Sequence, residues 1–399
     1  MSRIALLNGR IVLPHRILEH GALLIEDGRI TAVLPKGDLP DLELGNRWSR
    51  VDAGGRLISP GLVDIHIHGA VGHAFNTPTV EGYQAIVQEN ARRGITSLLA
   101  TTVTAGIPDL VECLAFVQEW MSTEHSGAEI LGCHVEGPYF SLAQAGAQDP
   151  AHIRNPDDGT PEQLLSYGDC IRLFSFAPEL PGSIALLSTL QRLNIVAAAG
   201  HSNATEDELQ RAIDGGLRHM IHIWSGQSST VRVGPWRKPG LLEVTLTYDV
   251  LTAEMIADNR HLPPTLMKLA YKCLGPDRLC VISDATSGAG LPDGARFQMG
   301  GLEYDVHNGV GMLPDRSSFA GSTTLLNQMV GILVQEVGIP LIEAIRMASL
   351  TPARIIGMDS RKGSLQPGKD ADVVIFDDEF NACGVLTRGR WALEMEEIT

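Results

Sequence analysis

The chain has 399 residues, 44% hydrophobic and 20% charged, with a formal net charge of −16, a globular composition with ample material for a core. Its acidity argues against a nucleic-acid-binding surface, which would be basic, and no apolar run approaches the ~20 residues of a membrane span, so neither partner is expected. The six cysteines, Cys113, Cys133, Cys170, Cys273, Cys280 and Cys383, form no C-x-x-C pair, and the start MSRIALLNGR lacks signal-peptide organisation, so the expected compartment is the cytoplasm.

Residues 1–58 read as short strands with tight turns. Ile4–Leu7 precedes Asn8-Gly9, and Ala22–Ile25 precedes Asp27-Gly28 and then Ile30–Val33. Such dipeptides between apolar runs signal hairpins. The end of the chain is similar, with Ala371–Phe376 and then Val385–Thr387 before Arg388-Gly389-Arg390. We expect one small β-sandwich domain built from 1–58 and 363–399.

Between them, apolar runs alternate with helical segments. The runs are Leu62–His66, Ile95–Ala100, Ile130–Glu136, Ile171–Phe176, Ile195–Ala199, Met220–Trp224, Val244–Val250 and Leu279–Asp284, and helical periodicity covers 81–93, 108–121, 183–193 and 205–215. Eight strand–helix units predict an α/β fold, a (β/α)8 TIM-type barrel over 59–362. A hairpin, Leu302–Val306 with Val310–Leu313, follows the eighth unit, and then a helix over Thr323–Val337 with Ser322 as N-cap.

The strand ends carry the chemistry. Asp64-Ile65-His66-Ile67-His68 closes the first run, and alternate strand residues share a face. His66 and His68 can therefore grip one divalent ion, although an isolated H-x-H is more often packed or solvated. The odds change at the C-terminal end of a barrel strand, where this fold keeps its active site. Glu136 closes run three, His201 follows run five, His222 lies in run six and Asp284 ends run eight. His134 and Asp64, one step deeper, are expected to support rather than ligate. Thr205-Glu206-Asp207-Glu208 fits a capping box that would steady the loop after His201. For His73, His125, His152, His219 and His307 the ordinary structural reading holds.

Glu136, His201 and His222 would supply three ligands and leave a position open, as catalytic sites do. His66 and His68 could hold a second ion with Glu136 bridging, giving one or two ions per chain. The donor set suits Zn first, with Fe, Mn or Co as alternatives. Asp284 would take a proton from water and deliver it to a leaving amine. The reaction class is hydrolysis of an amide or related C–N bond.

The whole set resembles the amidohydrolase superfamily. More narrowly, HVEGP (134–138), GHSNAT (200–205), KPG (238–240), IAD (256–258), SDATSGAG (283–290) and AGST (320–323) resemble the N-acetylglucosamine-6-phosphate deacetylase family over nearly the whole chain. The resemblance implies a small-molecule amino-sugar substrate, release of acetate, a homodimer, and phosphate or sugar contacts from Arg237 and His261. It also places Gln148, Ser225 and Gly226 in the substrate pocket. Those last three fall where the sequence departs from the family pattern, in 145–150 and 223–228. The alternatives are another N-acyl amino sugar or cyclic amide as substrate, or a barrel without catalysis serving as an interaction protein. The latter predicts eroded ligand positions, and here all are filled.

Overall fold

A computed structural model describes residues 3–38 and 47–395, so positions 1–2, 39–46 and 396–399 of the expected terminal unit lie outside the described residues. The barrel strands are Leu62–Ile67, Ile95–Thr102, Glu129–Glu136, Ile171–Phe176, Val196–Ala199, His219–Met220, Thr252–Ile256 and Leu279–Ile282. Each pairs in parallel with the next. A parallel bridge between Ile67 and Ala285, and Asp284 N–H donating to His66 O at 2.9 Å, join the eighth strand region to the first. All six residues of Leu62–Ile67 are buried, as expected of a parallel strand covered on both faces.

The seventh strand differs from expectation. Val244–Val250 is not a strand; Leu241–Thr247 is a helix, and the strand is Thr252–Ile256. Leu241, Val244 and Thr245 are the buried residues, a helical spacing, and the Glu243 carboxylate accepts from Gly240 N–H at 2.9 Å at the helix start. The β-branched residues of this short helix suggested a strand because packing overrides propensity. The sixth and eighth strands are also shorter than expected, so His222 and Asp284 both lie two residues past a strand end.

The helices at 80–92, 107–121, 183–192 and 206–214 match the expected segments to within a residue or so. The hairpin after the eighth strand is present as Leu302–His307 with Val310–Met312. It belongs to a four-stranded antiparallel sheet with Arg296–Met299 and Phe319–Ser322. The following helix begins at Leu326 rather than Thr323, because Phe319–Ser322 continues as strand, and a π-helical turn completes it at 333–337.

Strands from both ends form one mostly antiparallel sheet in the order 390–393, 382–387, 373–376, 57–60, 3–12, 17–26, 29–34, with 49–52 also pairing with 3–12. Alternation gives the sheet two apolar faces. Ile11, Ile58, Val373 and Ile375 join a small terminal core, whereas Val12, Leu57, Val374 and Phe376 join the barrel core. Asp27-Gly28 and Arg388-Gly389 form the tight hairpins, with all four φ values positive. Asn8-Gly9 does not. It is an irregularity inside the strand Arg3–Val12, where the pairing register shifts.

Candidate functional site

The barrel's C-terminal mouth gathers His66, His68, Glu136, His201, His222 and Asp284. Their backbone is unusual. His201, His222 and Asp284 have φ values of 43°, 23° and 46°, a region that non-glycine residues adopt rarely and that clusters at functional sites. Each sits where the chain turns sharply off a strand end and aims its side chain inward. The His201 turn is held by Glu179, which accepts from Ser202 Oγ at 2.7 Å and Asn203 N–H at 2.6 Å, and by the capping box at Thr205 and Glu208.

Glu136 is the hub. Its Oε1 lies 3.0 Å from His222 Nε2, 3.2 Å from His201 Nε2 and 3.6 Å from His66 Nε2. Asp284 Oδ1 lies 3.2 Å from His68 Nε2 and 3.6 Å from His66 Nε2. Each of three imidazoles spends its other nitrogen elsewhere. His201 Nδ1 meets Gln144 O at 2.8 Å, His222 Nδ1 meets Ser225 O at 3.1 Å, and His66 Nδ1 meets a Glu254 oxygen at 2.8 Å. These partners are acceptors, so each Nδ1 carries a proton, and when the ring is neutral its Nε2 is the bare lone pair turned toward the Glu136–Asp284 oxygens. Lone pairs facing carboxylate oxygens need a cation between them.

The electrostatics express the same need. Burial opposes charge on His66, but Glu254, then Glu136 and Asp284, outweigh it and push the ring up to about 10. Burial likewise lowers His222, yet the Glu136 hydrogen bond and charge raise it. Glu136 is held well below the usual carboxylate range: burial opposes this, and hydrogen bonds from His201 and His222 prevail. Asp284 is lowered against burial by His68 and His66. Without a metal, the cluster draws protons onto imidazoles. A divalent ion bound by bare ring nitrogens answers the same negative charge.

The residues therefore fit a metal. His66–Glu136–His222 and His66–His68–Asp284 each bring their ligand atoms within 4.8 Å of one another. His66 Nε2 and His68 Nδ1 are buried without a hydrogen-bond partner. A third grouping, His66–His134–Glu254, is also close, but there Glu254 is already engaged by direct hydrogen bonds.

Asp64 and His134 lie close to His66. Asp64 Oδ1 accepts from the backbone N–H of His66 at 3.3 Å and of Ser283 at 3.2 Å, and burial pushes its carboxyl up to about 7. His134 is buried with Nε2 2.6 Å from Ser175 Oγ, and burial, then the His66 charge, holds it well below the usual histidine range.

The residues expected to bind substrate divide. Gln148, Ser225, Gly226 and His261 line the same cavity as Glu136, His201 and Asp284. Gln148 also braces the hub, donating from Nε2 to Glu136 Oε2 at 2.7 Å. The Ser225 carbonyl fixes His222. Gly226, at φ 58°, packs so closely that a Cβ would come within 2.7 Å of His201 Nδ1. His261 is oriented by Asp258 at 2.8 Å and lies beside the Phe319 ring, with centroids 5.0 Å apart. Arg237 stands apart on an exposed hairpin, Val231–Val233 with Trp236–Lys238, and does not line its own chain's cavity. Its neighbour Trp236 is 72% exposed.

Glu254 is the site residue that sequence reading missed. It lies in the seventh strand, which had been expected at Val244–Val250. The available signal was a lone carboxylate inside the apolar run Ala253–Ala257.

The Amidohydrolase family model matches residues 57–392. The chain is 32% identical over 384 residues to an N-acetylgalactosamine-6-phosphate deacetylase of Escherichia coli O157:H7, covering 96% of this chain and 97% of that one. It is 30% identical over 391 residues to an N-acetylglucosamine-6-phosphate deacetylase of Bacillus subtilis, covering 97% and 96%. Among solved structures, the N-acetylglucosamine-6-phosphate deacetylase of Pasteurella multocida superposes with a TM-score of 0.90 at 28% identity, over 98% of this chain and 99% of that one. A Mycobacterium smegmatis deacetylase in complex with N-acetyl-D-glucosamine-6-phosphate gives 0.89 at 29%, over 98% and 100%. A barrel mouth built of histidines around one glutamate, matched by a family model through both barrel and terminal sheet, makes this chain a member of the amidohydrolase family.

Proposed function

We propose that the chain is a metal-dependent deacetylase that hydrolyses N-acetylglucosamine-6-phosphate to glucosamine-6-phosphate and acetate. The observation that carries this reading is the set of Nε2 atoms converging on Glu136 beside Asp284, in a chain alignable end to end with deacetylases.

In this reading Glu136, His201 and His222 hold the principal ion, and His66 and His68 can hold a second. Zn is favoured, with Fe, Mn or Co as alternatives. When bound, such an ion lowers the pKa of water toward neutrality and polarises a carbonyl. Asp284, ionised at neutral pH, accepts the proton of the attacking water as the C–O bond forms. It returns that proton to the amide nitrogen as the C–N bond breaks, releasing acetate and the free amine. His261 at the cavity wall and Arg237 contact the sugar or its phosphate. Arg237 reaches the pocket of a partner copy in a homodimer, a role supported by its exposed hairpin with outward Val231, Val233 and Trp236. We assign 59–362 to the hydrolase barrel and 1–58 with 363–399 to the terminal unit. Six free cysteines support placement in the cytoplasm.

The Escherichia coli relative favours a second reading, the C4 epimer N-acetylgalactosamine-6-phosphate. Purified protein loaded with Zn, Fe, Mn or Co is incubated with each 6-phosphate and with the unphosphorylated sugars, and free amine is measured. Release from one epimer with the higher kcat/KM names the substrate. No release from any of them sinks the deacetylase assignment.

A further inference from the structure

Glu254 is a wholly buried carboxylate in the middle of the seventh barrel strand. An ionised group there costs several kcal/mol unless it is well paired. Its Oε2 accepts from His66 Nδ1 at 2.8 Å and from the His222 backbone N–H at 3.2 Å. Its Oε1 lies 3.2 Å from His219 Nε2, and His219 Nδ1 meets the Thr252 hydroxyl at 2.8 Å. One carboxylate thus grips the ring of one ligand-type histidine and the backbone of another.

Two consequences follow from that geometry. The acceptor at Nδ1 holds a proton there, so Nε2, without a hydrogen-bond partner and 3.6 Å from both Glu136 Oε1 and Asp284 Oδ1, is the nitrogen open to a metal. The anchor on His222 N–H holds a residue whose φ of 23° is one that non-glycine residues rarely adopt. Loss of that anchor would free the turn and withdraw His222 Nε2 from the hub.

We infer that Glu254 is a positioning residue: it fixes the tautomer of His66 and the turn at His222, so that both rings present Nε2 to Glu136, the carboxylate shared by the two ion positions. This rests on the reading of that cluster as a metal site. His219 acquires a task as well, because it holds the second oxygen of Glu254 and keeps the carboxylate from rotating.

The test uses the full-length protein with 15N-labelled histidine, with the tautomer read after loading with Zn2+ and the affinity measured by titrating Zn2+ into the metal-free form. In the wild type the His66 ring is protonated at Nδ1. Glu254→Ala mixes the two tautomers and weakens Zn2+ binding about 10- to 100-fold, the usual effect of removing such a partner. Glu254→Gln retains an acceptor for both N–H groups, so it preserves the Nδ1–H signal and recovers most of the affinity. A residue that merely fills space would show no such rescue and no change of tautomer. Should Glu254→Ala fail to fold, Glu254→Asp, too short to reach His66, carries the same expectation. Unchanged tautomer and affinity in the Ala or Asp variant, with His222→Ala clearly weakened, would overturn the inference alone. If His222→Ala itself binds Zn2+ like the wild type, the metal-site reading fails and takes this inference with it.

Discussion

Gln148 Nε2 lies 2.7 Å from Glu136 Oε2, while Gln148 Oε1 accepts the backbone N–H of Thr104 at 2.8 Å. The two bonds settle the orientation of the amide and commit one oxygen of Glu136 to it. Oε1 is left to His222, His201 and His66, while His68 Nε2 lies 3.5 Å from Oε2. Gln148 therefore braces the hub as well as lining the cavity. Removing a hydrogen bond to a charged group costs about 1.5–3 kcal/mol. Gln148→Ala should lower metal retention and kcat together by roughly 10- to 100-fold, by that same principle. Metal content after dialysis, read beside steady-state kinetics, checks this. A rise in KM with kcat and metal unchanged would return Gln148 to pure substrate contact.

Asp284 lies at the cavity wall, with its nearest cationic or metal-type neighbours His68 at 3.2 Å and His66 at 3.6 Å. Asp284→Asn keeps the shape but removes the proton acceptor. Turnover should fall by at least about 10²- to 10⁴-fold, the range for a lost general base, while bound metal stays nearly constant. Metal analysis of the purified variant decides. Loss of metal in step with activity would make Asp284 chiefly a ligand.

The barrel mouth was legible because chemistry at strand ends breaks an otherwise apolar pattern. His66, His68 and Glu136 stand out against Leu62–Ile67 and Ile130–Val135, and parity along a strand tells which residues share a face. Parity loses meaning beyond a strand end, so the turns that aim His222 and Asp284, with φ values of 23° and 46°, could not be read that way. The seventh strand was misplaced because Val244, Thr245 and Thr247 favour extended structure in isolation, and the helix there exists through packing of Leu241 and Val244. That error concealed Glu254. The role of Gln148 depends on a contact with Glu136 made only in three dimensions, across a loop.

Lys362 ties the base of the barrel to the terminal sheet. Its buried Nζ lies 2.5 Å from Glu129 Oε2, 2.6 Å from Asp372 Oδ2 and 3.0 Å from Asp370 Oδ2, and Arg361 adds contacts to Glu129 at 3.1 Å and Asp370 at 2.8 Å. Lys362→Met would leave buried Asp372 without its cation and take one cation from Glu129 and Asp370, which keep Arg361, at a cost of up to about 3–5 kcal/mol. Urea unfolding measures that loss, and a variant as stable as the wild type would show that the network is dispensable.

The same network sets an acid limit. Burial alone would raise Glu129 and Asp370, but Lys362 and then Arg361 hold both below their usual values of 4.5 and 3.8. Groups lowered in the folded state stabilise it fully above those usual values, and the contribution disappears as pH falls through the lowered ones. Lys362 is raised above 10.5 against burial by Asp372 and Glu129, so its share persists below that value and is lost only as pH rises through the raised one. Melting temperature should therefore fall as the pH drops below about 4.5, and Lys362→Met should flatten that slope. An unchanged acid slope in the variant would place the sensitive carboxylates elsewhere.

Metal binding should release protons. His66 is raised to about 10 and His222 is raised above 6.5 in the metal-free protein, so at neutral pH the cluster holds protons on imidazoles. A metal needs bare nitrogens and displaces them. Titration with Zn2+ in two buffers of different ionisation enthalpy should show at least about one proton released per site near neutral pH, decreasing as the solution approaches the raised value of His66. The bound ion should also stabilise the fold, by about 4 kcal/mol at a thousandfold excess over Kd. His201→Ala and His222→Ala should reduce that gain. Zn2+ uptake without proton release would mean that the Nε2 atoms around Glu136 are already bare and that another cation balances the carboxylates. Proton release without thermal stabilisation would mean that the ion binds the unfolded chain equally well, away from the barrel mouth.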